Sequence, residues 1–181
     1  MTAESVLALL DSFHPGTDGE AQKSRELIQM LLRNTPAPFS RDQFEPGHIT
    51  ATACVLHPDQ QSVLLIHHKR LDRWLLPGGH VEVEDSSPQQ TAFREAVEET
   101  GVQLHPQAPE LVGIDVHGIP GKKKEPYHLH HDLIFRFQAV SKEVQVTEET
   151  QGVAWCAFTA FDTYRLAGSI QRACRKDPGR W

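Results

Sequence analysis

The sequence contains no apolar run near the ~20 residues that a bilayer-spanning helix needs. Its opening, MTAESVLALLDSFHP, has acids and no basic residues ahead of the apolar stretch, so it reads as a poor secretory leader. Cysteine is scarce: Cys54, Cys156 and Cys174 are an odd number without metal-ligand spacing. They are expected to be reduced thiols in a reducing compartment, which makes the cytoplasm the expected location. Positive charge is also in deficit, with 18 Lys and Arg against 24 Asp and Glu and a net charge of −6. That balance argues against a dedicated nucleic-acid binder. It leaves room for a small anionic substrate, because a bound cation inverts the charge of a local site. There is no internal repeat and no low-complexity tract. What remains is an ordinary globular composition, 39% hydrophobic and 23% charged over 181 residues, with eleven histidines. A chain of this length can bury a core without staples.

Hydrophobic spacing outlines the elements. Val6, Leu7, Leu9, Leu10 and Phe13 recur at helical intervals. Asp18 can cap a second helix striped by Leu27, Ile28, Leu31 and Leu32, which Pro36 and Pro38 end. This pair forms an N-terminal helical extension over 1–45, and the main domain occupies 46–181. The plain role of the pair is structural; a homodimer contact or a substrate lid is the sharper one. Residues 49–56 and 62–68 read as strands joined in a hairpin through HPDQQ. Short strands are expected at 74–76 and around Val81 and Val83. Ser87 before Pro88 signals a helix start, and Gly101 a stop. Strands follow at 111–117, 129–137 and 153–158, with a helical tail from Phe161. Strands on both sides of a central helix, and a further helix near the end, imply a mixed sheet between helical layers.

The central helix carries the chemistry. At 100° per residue Glu95, Glu98 and Glu99 fall within about a quarter turn of one another. Ala92, Phe93, Ala96 and Val97 take the opposite side and are expected to pack on the sheet. Two carboxylates ~6 Å apart repel by roughly 3 kcal/mol at an effective dielectric of 20. Hard divalent cations such as Mg²⁺ or Mn²⁺ relieve that repulsion. Taken alone the row also fits an acidic solvent face with ordinary ion pairs. Upstream, Pro77-Gly78-Gly79 lets backbone approach a ligand closely, and a glycine carbonyl can ligate a hard metal.

The stretch Gly78–Val102, GGHVEVEDSSPQQTAFREAVEETGV, resembles the signature of the Nudix hydrolases. Residues Arg94 to Val102 match its second half at every fixed position. The first half departs: Asp85 stands where a glutamate is expected, Glu84 replaces a frequent glycine, and one extra residue precedes Arg94. No role is assigned to Glu82, Glu84 or Asp85 on this basis. The resemblance covers about 48–165 and implies an α/β/α sandwich with a mixed sheet. It implies metal-dependent hydrolysis of a phosphoanhydride in a small nucleoside diphosphate-linked substrate, with Mg²⁺ or Mn²⁺ as cofactor. Glu95 and Glu99 would be the principal metal ligands, Glu98 a third, and the Gly79 carbonyl a further one, with Arg94 orienting Glu95. Glu148 and Glu149 are candidates for a base from a late loop; their plain reading is a solvated acidic loop. A non-catalytic nucleotide-sensing module shares the fold and would show degenerate glutamates. An isoprenoid diphosphate isomerase would need a reactive cysteine, and Cys54 lies in an apolar strand without the expected surroundings.

Other groups are less decisive. His128, His130 and Asp132 alternate along one strand and share a face, opposite Leu129, His131, Leu133, Phe135 and Phe137. With Lys122, Lys123 and Lys124 in the preceding Gly/Pro-bounded loop they are candidates for phosphate binding. The plain alternatives are a polar strand face and a solvated turn. His67 and His68, with Lys69, Arg70 and Arg73, either end a strand or meet substrate at the sheet edge. Trp74 reads as core rather than as a base-stacking surface.

Overall fold

The structure is a computed structural model, described here for residues 1–122 and 125–176. Helix α1 (Ala3–Ser12) opens with Thr2 and Ser5 in a reciprocal capping box, and α2 (Gly19–Asn34) with Asp18 accepting from the N–H groups of Glu20 and Ala21. These caps satisfy backbone donors that a helix cannot satisfy internally. Seven strands follow: β1 (His48–Leu56), β2 (Ser62–His68), β3 (Arg73–Leu75), β4 (Gly78–His80), β5 (Glu110–Ile119), β6 (His128–Gln138) and β7 (Thr150–Ala157). Helix α3 (Pro88–Thr100) lies between β4 and β5, and α4 (Gly168–Arg175) follows β7.

The sheet is mixed and runs β3-β2-β1-β6-β5, with β4 added to β1 and β7 to β2. Its centre is the parallel pair β1–β6, in register from His48 opposite His130 to Leu56 opposite Gln138. All other pairs are antiparallel. Alternation along β1 divides the core in two. Ala51, Ala53 and Val55 pack with Leu133, Phe135 and Phe137 of β6, with Ala92 and Ala96 of α3, and with Val6, Leu10, Ile28 and Leu31 of α1 and α2. Cys54 and Leu56 face the other way, toward Ile134, Cys156, Phe161, Ala173 and Cys174. The result is helices on both faces of one sheet. The N-terminal helices share a continuous core with the sheet and α3. All three cysteines are free and buried.

Two local expectations are corrected. The short strand does not lie at Val81 and Val83: it is Gly78–His80, and Val83 is 96% exposed in the following turn. Side-chain pattern pointed to the valines, but the backbone that pairs with β1 belongs to the glycines, which can lie flat against it. On α3, Ala92 and Ala96 are fully buried, whereas Phe93 and Val97 are exposed. The buried stripe is instead completed by Thr91, Glu99 and Thr100. The polar row is therefore turned inward, toward β4, rather than away from the sheet. Elsewhere boundaries shift slightly. β7 begins at Thr150, and the helical part of the tail begins only at Gly168. Trp74 is half-buried, with its ring 5.1 Å from those of His67 and Tyr164.

Candidate active site

Helix α3 is fixed at both ends. The Ser87 side chain accepts from the Gln90 N–H, and Gly101 takes the left-handed conformation (φ 64°) that ends the helix. Between them Glu95 and Glu99 stand one turn apart on the edge facing β4. The approach is close enough that a Cβ on Gly79 would lie 2.5 Å from Glu95 Oε1. Only glycine leaves room for that carboxylate. The neighbouring Gly78 N–H donates to Glu99 Oε2 at 3.0 Å. Thus β4 presents backbone, and α3 presents carboxylates, to the same space.

Arg94 organises the row. Its guanidinium donates to Glu95 Oε1 (2.9 Å), Glu98 Oε2 (3.0 Å), the His80 carbonyl (2.9 Å) and both oxygens of Asp85 (2.9 and 3.2 Å). Asp85 is 3% exposed and also accepts from the Glu82 N–H and the Thr91 hydroxyl. Burial opposes its ionisation, but these donors outweigh burial and hold the carboxyl below its usual range. A forked arginine–carboxylate pair fixes both charge and orientation. Asp85 therefore anchors Arg94, and Arg94 steers Glu95.

The carboxylates of Glu95 and Glu99 behave differently. Burial pushes Glu99 up to about 8, with the Glu95, Glu149 and Glu98 charges adding to burial and the Gly78 N–H opposing it. Glu95 is raised for the same leading reason, despite Arg94. One oxygen from each of Glu95, Glu99 and the exposed Glu149 lies within 4.8 Å of the others. Carboxylates so crowded and desolvated resist ionisation until a cation joins them. That is the donor set and the electrostatic demand that a hard divalent cation meets.

These groups line a cleft of about 420 Å³. Gly78, Gly79, Glu95, Glu98, Glu99 and Glu149 are among its lining residues, and Arg41, Arg70 and Arg73 supply positive charge around it. Thr50, Thr52, His117, His130 and Asp132 line the rest. These last residues, on the strand face opposite Ala51 and Ala53, meet the α3 carboxylates because the cleft opens over the glycine strand at the sheet edge. Asp132 accepts from Thr50 Oγ1 (2.9 Å) and Thr52 Oγ1 (3.0 Å), and burial raises its carboxyl above the ordinary range.

The residues expected from sequence separate into groups. Arg94, Glu95, Glu98, Glu99, Gly79 and His130 come together at the cleft with Glu149. Glu98 is exposed and turned to Arg94, outside the three-carboxylate group. Glu148 offers its backbone carbonyl to Lys69. His128 is buried beneath the cleft, stacked on His48 at 5.1 Å. Lys122 is exposed, is not itself among the cleft-lining residues, and pairs through its backbone with Glu125, whose carboxylate lies 3.4 Å from the cleft residue Arg70; Lys123 and Lys124 lie outside the described residues. Cys54 is fully buried with its thiol 3.1 Å from Cys174 and does not line the cleft. Sequence reasoning assigned nothing to Asp85, although its place six residues after Gly79 was a signal. It gave no role to Arg41, Thr50 or Thr52, for which no local pattern exists.

Comparison with known proteins bears on the family and the fold. The family model described as NUDIX domain matches residues 47–176, leaving α1 and α2 outside the match. A protein of Lactococcus lactis subsp. cremoris (strain MG1363), named as a probable DHNTP pyrophosphohydrolase, is 33% identical over 132 residues, 71% of this chain and 77% of that one. Among solved structures, a C. elegans Ap4A hydrolase in a binary complex shares the fold at a TM-score of 0.52 and 19% identity, covering 70% of this chain and 92% of that chain. The NUDIX domain of Shewanella oneidensis NrtR, solved with ADP ribose, does so at 0.51 and 22%, covering 77% and 88%.

Proposed function

The chain belongs to the Nudix family and is a pyrophosphohydrolase of that family; from that premise we propose a divalent-metal-dependent hydrolase that cleaves a phosphoanhydride in a nucleoside diphosphate-linked substrate. The observation that carries the proposal is the buried Glu99 and the half-buried Glu95, set against a glycine strand and converging with the exposed Glu149 in a cleft ringed by arginines.

The residues fit Mg²⁺ or Mn²⁺. Glu95, Glu99 and Glu149 offer oxygen donors within 4.8 Å of one another, and the Gly79 backbone lies against Glu95 with no side chain between them. Glu98 joins them through solvent. When bound, such an ion neutralises phosphate charge and lowers the pKa of water in its shell. The chain's own residues do the rest. Asp85 holds Arg94, and Arg94 holds the Glu95 carboxylate in one orientation. Arg41, Arg70 and Arg73 attract and align the diphosphate, whose charge is opposite to theirs. Glu149, exposed at the mouth of the cleft, takes the proton from the attacking water. Helices α1 and α2 serve as a structural extension, and a homodimer contact through them is retained as a proposal. The sensor reading requires degenerate glutamates, and Glu95, Glu98 and Glu99 are intact.

The substrate within this class is addressed directly. A panel of dinucleoside polyphosphates, ADP-sugars, nucleoside triphosphates and DHNTP, assayed with Mg²⁺ and Mn²⁺ and with products identified by mass, should show one group cleaved at a phosphoanhydride. No metal-dependent cleavage of any phosphoanhydride would contradict the proposal.

A further inference from the structure

The sheet assembles a second polar cluster that hydrolysis does not use. Register places His48 of β1 directly beside His130 of β6. His128 lies two residues earlier on the same face of β6, and His80 of β4 sits opposite Thr50 of β1. The rings converge. His48 is 5.1 Å from His128, 4.9 Å from His130 and 5.1 Å from His80, and His130 is 5.2 Å from His128. One ring nitrogen from each of His48, His128 and His130 lies within 4.8 Å of the other two. His48 is 0% exposed and His128 is 4% exposed.

Hydrogen bonding fixes which nitrogen two of the three rings offer. His48 Nδ1 meets the Gln43 carbonyl at 3.0 Å, and His128 Nδ1 meets the Pro126 carbonyl at 2.9 Å. A carbonyl only accepts, so both Nδ1 atoms carry the proton and both Nε2 atoms carry a lone pair. A protonated nitrogen held by a backbone carbonyl, with the opposite nitrogen bare, is the arrangement found at histidine metal ligands. His48 Nε2 and His130 Nε2 are buried and have no hydrogen-bond partner among the described residues. A buried lone pair left unmatched costs about 1–3 kcal/mol. One water can donate to only two of three converging acceptors. Protonating the rings is no remedy, since adjacent imidazolium charges would repel in a desolvated site. A cation answers all three lone pairs at once.

We propose that His48, His128 and His130 form a binding site for a borderline-soft transition metal of the Zn²⁺ or Co²⁺ type, distinct from the carboxylate site on α3. Imidazole donors select such ions over Mg²⁺, which prefers oxygen. Around Zn²⁺, ligand nitrogens at about 2.0–2.1 Å stand roughly 3.3 Å apart in tetrahedral geometry, so small side-chain movements close the site. His80 and His130 also line the cleft, and the His80 carbonyl accepts from Arg94. The cluster therefore borders the cleft, and a metal held there would tie β1 to β6, with His80 of β4 beside it. The site is independent of the catalytic proposal, since none of its three ligands is on α3.

The test uses the untagged full chain, stripped with chelator, in excess Mg²⁺ to occupy the carboxylates. Co²⁺ or Zn²⁺ alone is the probe, followed by calorimetry and by the intense visible absorption of four-coordinate Co²⁺. The parent should bind one equivalent. Glu99→Gln should bind equally well, which separates this site from the hydrolytic one. His128→Gln and His130→Gln should bind at least tenfold more weakly, with far-UV circular dichroism matching the parent in chelator. Should a variant fail to fold, Zn²⁺ added to the parent should still shift the imidazole resonances of these three histidines in NMR spectra. Absence of stoichiometric binding in the parent would overturn the proposal, as would binding lost in Glu99→Gln and kept in both histidine variants.

Discussion

The molecule holds two buried polar clusters a few residues apart, and they are built on opposite electrostatic plans. At the α3 edge a fixed positive charge, Arg94, pairs with three carboxylates, Asp85, Glu95 and Glu98, and Glu99 beside them accepts from the Gly78 N–H. Beneath the cleft, neutral imidazoles crowd together with no fixed countercharge among them. The first cluster is held rigid before any ion arrives, by a two-pronged ion pair and close backbone contact. The second holds its rings by backbone carbonyls and leaves nitrogens bare. Oxygen and charge suit hard ions; neutral nitrogen suits softer ones. One cleft thus borders two sites with different selectivity.

The strongest way to break the comparison is to remove the rigid frame of the acidic cluster. Asp85→Ala takes away the one carboxylate that, among the described residues, pairs with Arg94 from a buried position. It should cost about 3 kcal/mol, the lower end for breaking a buried pair because Glu95 and Glu98 remain. Urea denaturation measures it, and a loss no greater than that of a surface substitution would show the frame lies elsewhere. Gly79→Ala should come next. A Cβ would stand 2.5 Å from Glu95 Oε1, so the carboxylate must move, and displacement of about 1 Å at a reacting centre can cost 10²-fold in kcat. Single-turnover rates would show it, with stability changed far less.

These two positions also mark how far the sequence could be read. The α3 glutamates were legible because helical period places residues three and four apart on one face. Asp85 was not, because its partner is nine residues away across a turn whose course no period dictates. The histidine cluster was half legible: alternation put His128 and His130 on one face of β6, but His48 and His80 reach them only through strand pairing. The parallel β1–β6 register spans more than 80 residues of sequence and leaves no local trace. Likewise the inward turn of Glu99 could not follow from composition. Sequence favoured Phe93 and Val97 for the buried face, whereas the sheet accepts only the small Ala92 and Ala96 beside β1.

The pH response sharpens the contrast further. In metal-free buffer Glu99 titrates at about 8 in the folded chain, against 4.5 for an ordinary glutamate. Between those values the folded state holds a proton that the unfolded state has released, so stability falls as pH rises. Glu99→Gln removes that slope, and its advantage over the parent should grow from pH 5 to pH 8, by on the order of 1 kcal/mol or more. Thermal melts in chelator measure it, and parallel pH curves for the two chains would contradict the burial argument. The smallest effect is expected at Glu98→Gln. Glu98 is exposed, and its pair with Arg94 should contribute under about 1 kcal/mol. A denaturation midpoint as low as that of Asp85→Ala would mean that the exposed and buried partners of Arg94 do not differ as described.

The central claim is that Glu99, buried and turned toward the glycine strand, is a metal-binding group of a phosphoanhydride hydrolase. Steady-state turnover of the preferred nucleotide substrate by the parent and by Glu99→Gln, at saturating Mg²⁺ or Mn²⁺, tests it most directly. The near-isosteric change should lower kcat by about 10²-fold or more, as for loss of a key electrostatic group, while the folded state in chelator is as stable as the parent or more so. Equal turnover by the two chains at saturating metal would contradict the account.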